Sequence, residues 1–354
     1  MENIIDTKNP VMVTGATGYV AGWLVKKLLK EGFTVHAPVR EPKNLTKTKH
    51  LNVMADESLG KIKFFKADLL DKDSYLSAMK GCSVVFHTAS PFTSNVSDPQ
   101  KQLIDPALEG TKNILGSVNQ TDSVTRVVLT SSVAAIYGDN IELNDTPEGT
   151  FTEEMWNTTS TLKHKPYSFS KTLAEKEAWK INGEQTRWTL VVINPSLVVG
   201  PGTNPDATSE SFNIVRQFGN GKMKSGAPRM GLGAVDVREV STAHFNAAFK
   251  ESASGRYILS GHNTDLLKMA RTLLPKFGND YPIPKNSLSK TLIWLVGPLL
   301  NKNLSRSVVS KNVDLPWKAD NTKSIKELGV EYRPLAESMT EMFQQMIDNH
   351  KFRK

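Results

Sequence analysis

Tyr167 and Lys171 stand four residues apart in a stretch with helical spacing, so a phenol and an ammonium share one face, which Ala174 and Ala178 continue. A cation beside a phenol favours the phenolate and lowers its pKa from about 10, so Tyr167 is expected to give and recover a proton near neutrality. That is the proton chemistry of a carbonyl and its alcohol. Such a pair also arises by chance, so its company decides the reading. Ser131-Ser132 follows the apolar run Val127-Val128-Leu129-Thr130, at the carboxyl edge of an expected strand, where ligands bind in open α/β sheets. Ser132 can there hydrogen-bond a substrate oxygen. An isolated Ser-Ser pair would more simply be a turn satisfying its own backbone. His87 ends another expected strand and is read as a packed or backbone-bonded ring, outside catalysis. The seven histidines form no metal-like cluster and the one cysteine offers no thiolate set, so no metal is expected.

A second constellation points to a phosphate. Thr14-Gly15-Ala16-Thr17-Gly18 lies between a short apolar run, Val11 to Val13, and a helical pattern. Gly15 permits a tight turn, Gly18 lets the backbone approach a phosphate, and the free N–H groups and helix dipole meet its charge. Ala21 stands where a third glycine is usual, and its methyl still allows close packing of helix on strand. A ribose 2′-hydroxyl would call for an acid after the second strand, yet Arg40 stands there, which suits a 2′-phosphate. Lys43, Lys47 and Lys49 add positive potential, or are solvated residues at a helix start. The expectation is NADP(H) in preference, with NAD(H) possible. Asp68 could accept from an adenine amino group or cap a following helix, and both readings stay open.

These residues need a scaffold that brings strand ends together. Val20, Leu24, Val25, Leu28 and Leu29 predict a helix ending at Gly32, and Phe33 to Val39 a strand with Pro38 near its end. The alternation continues through a strand at Ile62–Phe65, a helix near Asp71–Lys80, a strand at Ser83–Phe86 and a helix near Pro99–Val118. A strand at Arg126–Thr130, a helix at Tyr167–Ile181 and a strand at Thr189–Ile193 follow. This is βαβ order, predicting an α/β fold with a doubly wound parallel sheet. After Gly200, Pro and Gly recur and periodicity weakens. Residues 1–200 are therefore read as the dinucleotide-binding domain carrying the catalytic residues, and 201–354 as a smaller C-terminal substrate lobe that may lend the sheet a further strand.

Composition bounds the rest. With 354 residues, 39% hydrophobic and 23% charged, the chain can bury a large core, and its net charge of +8 is spread rather than concentrated as a nucleic-acid protein would have it. No nucleic-acid partner is expected. Cys82, inside an apolar run, reads as a buried small hydrophobe in a reducing compartment. The longest apolar stretch, Leu292 to Leu300, is far short of the roughly 20 residues needed to span a bilayer. No export signal is read at the N-terminus, so a cytoplasmic protein without a membrane partner is expected, as monomer or homodimer.

The set Thr14-Gly15-x-x-Gly18, Ser132 and Tyr167-x-x-x-Lys171 resembles the extended short-chain dehydrogenase/reductase superfamily over roughly residues 10 to 260. Arg40-Glu41-Pro42-Lys43-Asn44-Leu45-Thr46-Lys47, His87-Thr88-Ala89-Ser90-Pro91-Phe92 and Asp105-Pro106-Ala107-Leu108-Glu109-Gly110-Thr111 resemble the branch holding dihydroflavonol reductases, cinnamoyl-CoA reductases and yeast-type aldehyde/ketone reductases. The resemblance implies a Rossmann fold in which Gly15, Thr17, Gly18, Tyr19 and Val20 line the pyrophosphate. It further implies that Arg40 and Lys47 hold the 2′-phosphate, and that Asp68 and Leu69 bracket adenine. Thr88, Ala89, Ser90, Pro195 and Val198 would flank nicotinamide and ribose. Lys171 would grip the ribose hydroxyls, Tyr167 protonate the carbonyl oxygen and Ser132 hydrogen-bond it. The activity so implied is NADPH-dependent reduction of an aldehyde or ketone, in a pocket of Phe92, Val133 to Tyr137 and loops after Gly200 whose lining suits a nonionic substrate. Two alternatives stand beside it: a nucleotide-sugar epimerase or dehydratase with retained NAD(P), and a non-catalytic NADP(H)-sensing module. Pro106-Ala107, where epimerases and dehydratases usually keep an Asn, and the intact Ser132, Tyr167 and Lys171 favour the reductase.

Overall fold

The computed structural model describes residues 6–352 apart from 91–95, 205, 207–208 and 301–303. Strand β1, Val11–Val13, is buried throughout and leads into helix α1, Tyr19–Lys30, whose Leu24, Val25, Leu28 and Leu29 are fully buried. Each such side chain contributes roughly 1.5–3 kcal/mol, so tertiary burial, more than helix propensity, holds α1. Strand β2, Thr34–Val39, pairs with β1 only through Val35 and His36, so Pro38 lies past that ladder and its missing N–H disrupts nothing there. Helix α2, Leu45–Asp56, buries only Thr48 and Leu51; with no apolar stripe, it has no periodicity to announce it. Strand β3, Lys61–Lys66, follows.

The helix expected near Asp71–Lys80 is instead a single turn, α3, Leu76–Met79. Asp68 and Ser74 hold the preceding segment in turns, with Leu70 N–H donating to Asp68 Oδ1 at 3.0 Å and Ser74 Oγ to the Asp68 carbonyl at 2.9 Å. After β4, Val84–His87, a π-helical stretch Gln100–Ile104 runs into α4, Asp105–Asn119. Strand β5 is Arg126–Thr130, α5 is Pro166–Gly183, and β6 is Thr189–Pro195.

Beyond residue 195 come β7 (Leu197–Val199), α6 (Glu210–Gly219), β8 (Gly231–Asp236), α7 (Val237–Phe249), β9 (Gly255–Leu259) and β10 (His262–Asp265). They are followed by α8 (Leu266–Arg271), α9 (Leu274–Phe277), α10 (Lys290–Leu300), α11 (Arg306–Asn312), α12 (Thr322–Leu328) and α13 (Leu335–Asp348). The main sheet runs β3-β2-β1-β4-β5-β6-β9, every pair parallel, which is the doubly wound order. Its seventh strand thus comes from beyond residue 200. One face is covered by α1 and α7 around Phe33, Leu28 and Tyr257, the other by α4 and α5 around Ile114, Ala178 and Trp188. A second sheet, β10-β8-β7, and the helices α6, α8 and α13 enclose a separate core of Val215, Phe218, Met269, Met342 and Phe343. The strand order reverses between β1 and β4, opening a crevice at their carboxyl ends.

Leu28→Ala is expected to lower the unfolding free energy in urea by about 2–5 kcal/mol, and Leu59→Ala, at a side chain 85% exposed, by no more than about 0.5 kcal/mol. Equal losses at the two positions would contradict the assigned core.

Candidate active site

The turn after β1 is shaped by close approach. Gly15 has φ +64°, and a Cβ there would come within 3.1 Å of the Ala89 backbone. Gly18 N–H donates to the Gly15 carbonyl at 2.8 Å and then caps α1, whose first turn has no side-chain cap and no acidic residue. The free N–H groups and positive dipole end of α1 are therefore open to an anion. Thr14 braces the turn: its buried hydroxyl accepts from Thr88 N at 3.1 Å and Ala89 N at 3.0 Å, and sits 3.2 Å from His87 Nδ1. Thr88 Oγ1 donates in return to the Thr14 carbonyl. Thr88 and Ala89 thus lie against Gly15. Thr17 and Val20 are half-buried at the helix start, but the Tyr19 hydroxyl donates to the Gly200 carbonyl at 2.6 Å and its ring meets Phe212 edge-on. Its side chain faces the second lobe, which leaves only the backbone for a phosphate.

Arg40 is exposed just past β2, and Lys47, in the first turn of α2, pairs with Glu41 at 3.7 Å on the surface. Such a pair is worth about 0–1 kcal/mol, so Lys47 is readily drawn to another anion. Asp68 spends one carboxylate oxygen on Leu70 N–H; it caps a turn, not the helix once expected to begin near Asp71. Leu69 packs over Gly110, where a Cβ would strike its side chain at 2.6 Å.

Ser132 follows β5 and caps the short 3₁₀ turn Val133–Ala135, its Oγ accepting from Ala134 N at 3.1 Å. Helix α5 brings Tyr167 and Lys171 to one face, with Lys171 Nζ 5.9 Å from the phenol ring centroid. The expected fall in the Tyr167 pKa does not occur. Burial pushes it up to about 12, the Glu210 carboxylate adds to the rise, and the Ser132 hydroxyl acts on the phenol in the opposite sense. Although 44% of Tyr167 is exposed, loss of water around the phenolic oxygen sets the direction of the shift. The same burial draws Lys171 down to about 8, with Glu175 resisting. His87 is pushed down to about 3 by burial and by Lys171, and stays neutral.

Glu175, one turn beyond Lys171, is a buried residue that the sequence reading passed over. Its carboxylate accepts from Ser131 Oγ, from Asn194 Nδ2 at 2.8 Å and from Arg256 Nε at 2.6 Å, joining α5 to the ends of β5 and β6 and to β9. The spacing Tyr167, Lys171, Glu175 carried the signal. A second missed group is Lys165, which precedes Pro166 with φ +53°, a conformation disfavoured before proline. Its ammonium is held by Asp139 at 3.1 Å, by the Gly138 carbonyl and by Asn312 Oδ1 at 2.8 Å, while His164 Nε2 meets Asp139 at 2.7 Å.

Leu69, Ala89, Ser90, Ser131, Lys171 and Glu175 line one cleft at the carboxyl ends of β4 and β5. Pro195 ends β6 and Val198 lies in β7, outside that wall. The expected pocket along Val133 to Tyr137 is largely filled: Val133 and Ile136 pack into a core with Phe151, Ile258 and Trp317, and Tyr137 stacks on Phe151 at 4.6 Å. Apolar residues there serve packing. Phe92 lies outside the described residues.

The NAD dependent epimerase/dehydratase family pattern matches residues 11–248. The chain is 40% identical over 296 residues to cinnamoyl-CoA reductase CAD2 of Medicago truncatula, covering 80% of this chain and 88% of the relative. It is 36% identical over 301 residues to anthocyanidin reductase of Arabidopsis thaliana, covering 78% and 86%. Among solved structures, yeast methylglyoxal/isovaleraldehyde reductase Gre2 complexed with NADPH superposes with a TM-score of 0.77 at 28% identity, over 97% of this chain and 99% of that one.

In the fold Lys171 titrates at about 8 and in the unfolded chain near 10.5, so between these values the unfolded chain binds more protons and stability gained from this site rises with pH. Below about pH 8 the buried ammonium costs the fold its full penalty. Lys171→Met removes the titration, so its stability advantage over wild type in urea melts is expected to shrink as pH rises from 8 towards 10.5. An advantage constant across that range would refute a buried cation.

Proposed function

The chain belongs to the NAD dependent epimerase/dehydratase family, and we propose that it is an NADPH-dependent reductase of an aldehyde or ketone. One observation carries this reading: the Ser132 hydroxyl meets the Tyr167 phenol, Lys171 Nζ stands 5.9 Å from the same ring, and Lys171 lines the cleft whose wall includes Ala89, the residue packed against the phosphate-ready turn. Reductase names among relatives that cover about four fifths of the chain support it.

The residues fit the cofactor. A Cβ at Gly15 or Gly18 would press to 3.1 Å on neighbouring backbone, and Gly15 has φ +64°, so glycine suits both places in a backbone cradle for pyrophosphate, to which α1 presents uncapped N–H groups. Arg40 and Lys47 are free to take a 2′-phosphate, which supports NADP(H) over NAD(H). Leu69 and Asp68 would border adenine, and Thr88, Ala89, Ser90, Pro195 and Val198 the nicotinamide ribose. NADPH, when bound, supplies the hydride.

The protein's own part is protonic and electrostatic. Tyr167 donates its proton to the carbonyl oxygen as negative charge grows there. Ser132, whose Oγ already accepts from Ala134 N, keeps its O–H to donate to the same oxygen. Lys171 fixes the ribose hydroxyls and stabilises the phenolate left behind. Residues 1–200 would carry nucleotide and catalysis, and the later lobe would close over the substrate, with β9 and α7 returning to the first sheet. Trp23 and Tyr19 already join the two, Trp23 Nε1 donating to the Pro201 carbonyl at 2.7 Å and the Tyr19 ring meeting Phe212 at 5.0 Å.

Tyr167→Phe is expected to lower kcat about 10²–10⁴-fold across a panel of aliphatic and aromatic carbonyls, with NADPH affinity by nicotinamide fluorescence unchanged. Unchanged turnover would remove Tyr167 as the acid. Arg40→Ala should raise the Kd for NADPH about 10–100-fold and leave that for NADH alone. Equal losses for both nucleotides would place the 2′-phosphate elsewhere.

A further inference from the structure

Helix α10 carries an apolar stripe that faces outward. Leu292, Leu295, Val296 and Leu299 fall at i, i+3, i+4 and i+7, the spacing that in a globular protein faces the core. All four are exposed, Leu295 by 53% and Leu299 by 85%. The helix is already seated by its other side: Ile293 packs with Val309 and Val313, and Gly297 lies close to Leu304. Among the described residues, no core cluster takes up the stripe.

Along the flanking sequence the charge has one sign. Between Asp280 and Asp314 the sequence holds Lys285, Lys290, Lys302, Arg306 and Lys311 and no acidic residue. Lys290 opens the helix, and the Arg306 guanidinium stacks on Trp294, 4.5 Å from its ring centroid, at the edge of the stripe. Lys285 is exposed, whereas Lys311 turns inward to Asp139. A two-fold contact between copies of this face would set these cations against their own counterparts. A surface that is apolar below and anionic above receives both features. With 11 residues the helix is about 16 Å long, half of a bilayer core, and no described helix is long and apolar enough to cross one.

We propose that α10 docks the protein on an anionic lipid surface, with Leu292, Leu295, Val296 and Leu299 in the acyl boundary and Lys285, Lys290 and Arg306 at the headgroups. Trp294, amphipathic and cation-stacked, sits at the level between them. Docking is independent of the redox reading, because none of these residues lines the cleft.

Flotation of the full chain with vesicles tests it. Wild type should float with phosphatidylcholine mixed with phosphatidylserine, not with phosphatidylcholine alone, and less as salt rises. Lys290→Gln with Arg306→Gln should lower partitioning roughly 30-fold, at about fivefold per cation. Leu295→Ser with Leu299→Ser should lower it at least about 10-fold. Nicotinamide fluorescence titration, alike in all three proteins, confirms that the variants fold. Failure of wild type to float, or flotation unaffected by the serine variant, overturns the proposal. So does a wild-type dimer in sedimentation that the serine variant makes monomeric, since the stripe would then belong to a second copy.

Discussion

The buried carboxylate of Glu175 is the constraint on which the site depends. It lies where water is excluded, and a charge there is tolerated only because Arg256, Asn194 and Ser131 all point at it. Those partners come from β9, the end of β6 and the end of β5, so one side chain fixes the azimuth of α5 against three strands. Tyr167 and Lys171 precede it by two turns and one turn, and rotation of the helix about its axis would break the carboxylate's contacts before moving the phenol far. Removing one member of such a set typically costs about 3–5 kcal/mol, because the remaining charge is left bare. The device also reaches beyond α5: the Arg256 guanidinium holds the carbonyls of Glu153 and Met155 and stacks on Trp156 at 4.0 Å, ordering the loop that leads to the helix.

The opposite wall of the crevice is set by a smaller knot. Thr14, at the end of β1, accepts two backbone N–H groups from the end of β4 and so fixes how far the strand ends part. The glycine turn then passes close to Ala89, so a Cβ at residue 15 would press on it at 3.1 Å as well as strain a backbone at φ +64°. Two polar knots on neighbouring strand ends therefore define a cleft whose width the backbone cannot relax. Lys165 adds a third at the helix start, where a backbone strained before Pro166 is held by Asp139 and Asn312 from distant parts of the chain.

What could be read from the sequence follows from how each element is stabilised. Helix α1 announces itself because four apolar residues at helical spacing make its burial; α2 is silent because it buries little. The sheet order follows from alternation and right-handed crossover, and the reductase relatives agree with the branch suggested by Arg40 to Lys47 and His87 to Phe92. The meeting of Ser132 with Tyr167 and Lys171 was legible because Ser132 follows the carboxyl end of β5 and the other two share a face in the first turns of α5. Glu175 was legible too, by spacing, but a carboxylate on a helix usually means solvent. Asp139, Lys165 and Asn312 could not be joined by any local pattern, since their contact exists only once three segments are packed. Nor could the direction of the Tyr167 shift, which is set first by the depth of burial.

That shift bears on the proposed proton transfer. A phenol lifted to about 12 is protonated at neutral pH, and a lysine drawn down to about 8 is still largely charged there. The resting pair is thus phenol and ammonium, the state from which the proposed proton donation would start. The ammonium is worth most after donation, when a phenolate stands beside it in a medium of low dielectric. In the proposed reaction its stabilisation would accordingly be larger late in the proton transfer than at the start, which is the condition for accelerating a step and not merely binding its substrate. The burial that makes Tyr167 a weak acid in isolation is also what makes Lys171 effective beside it.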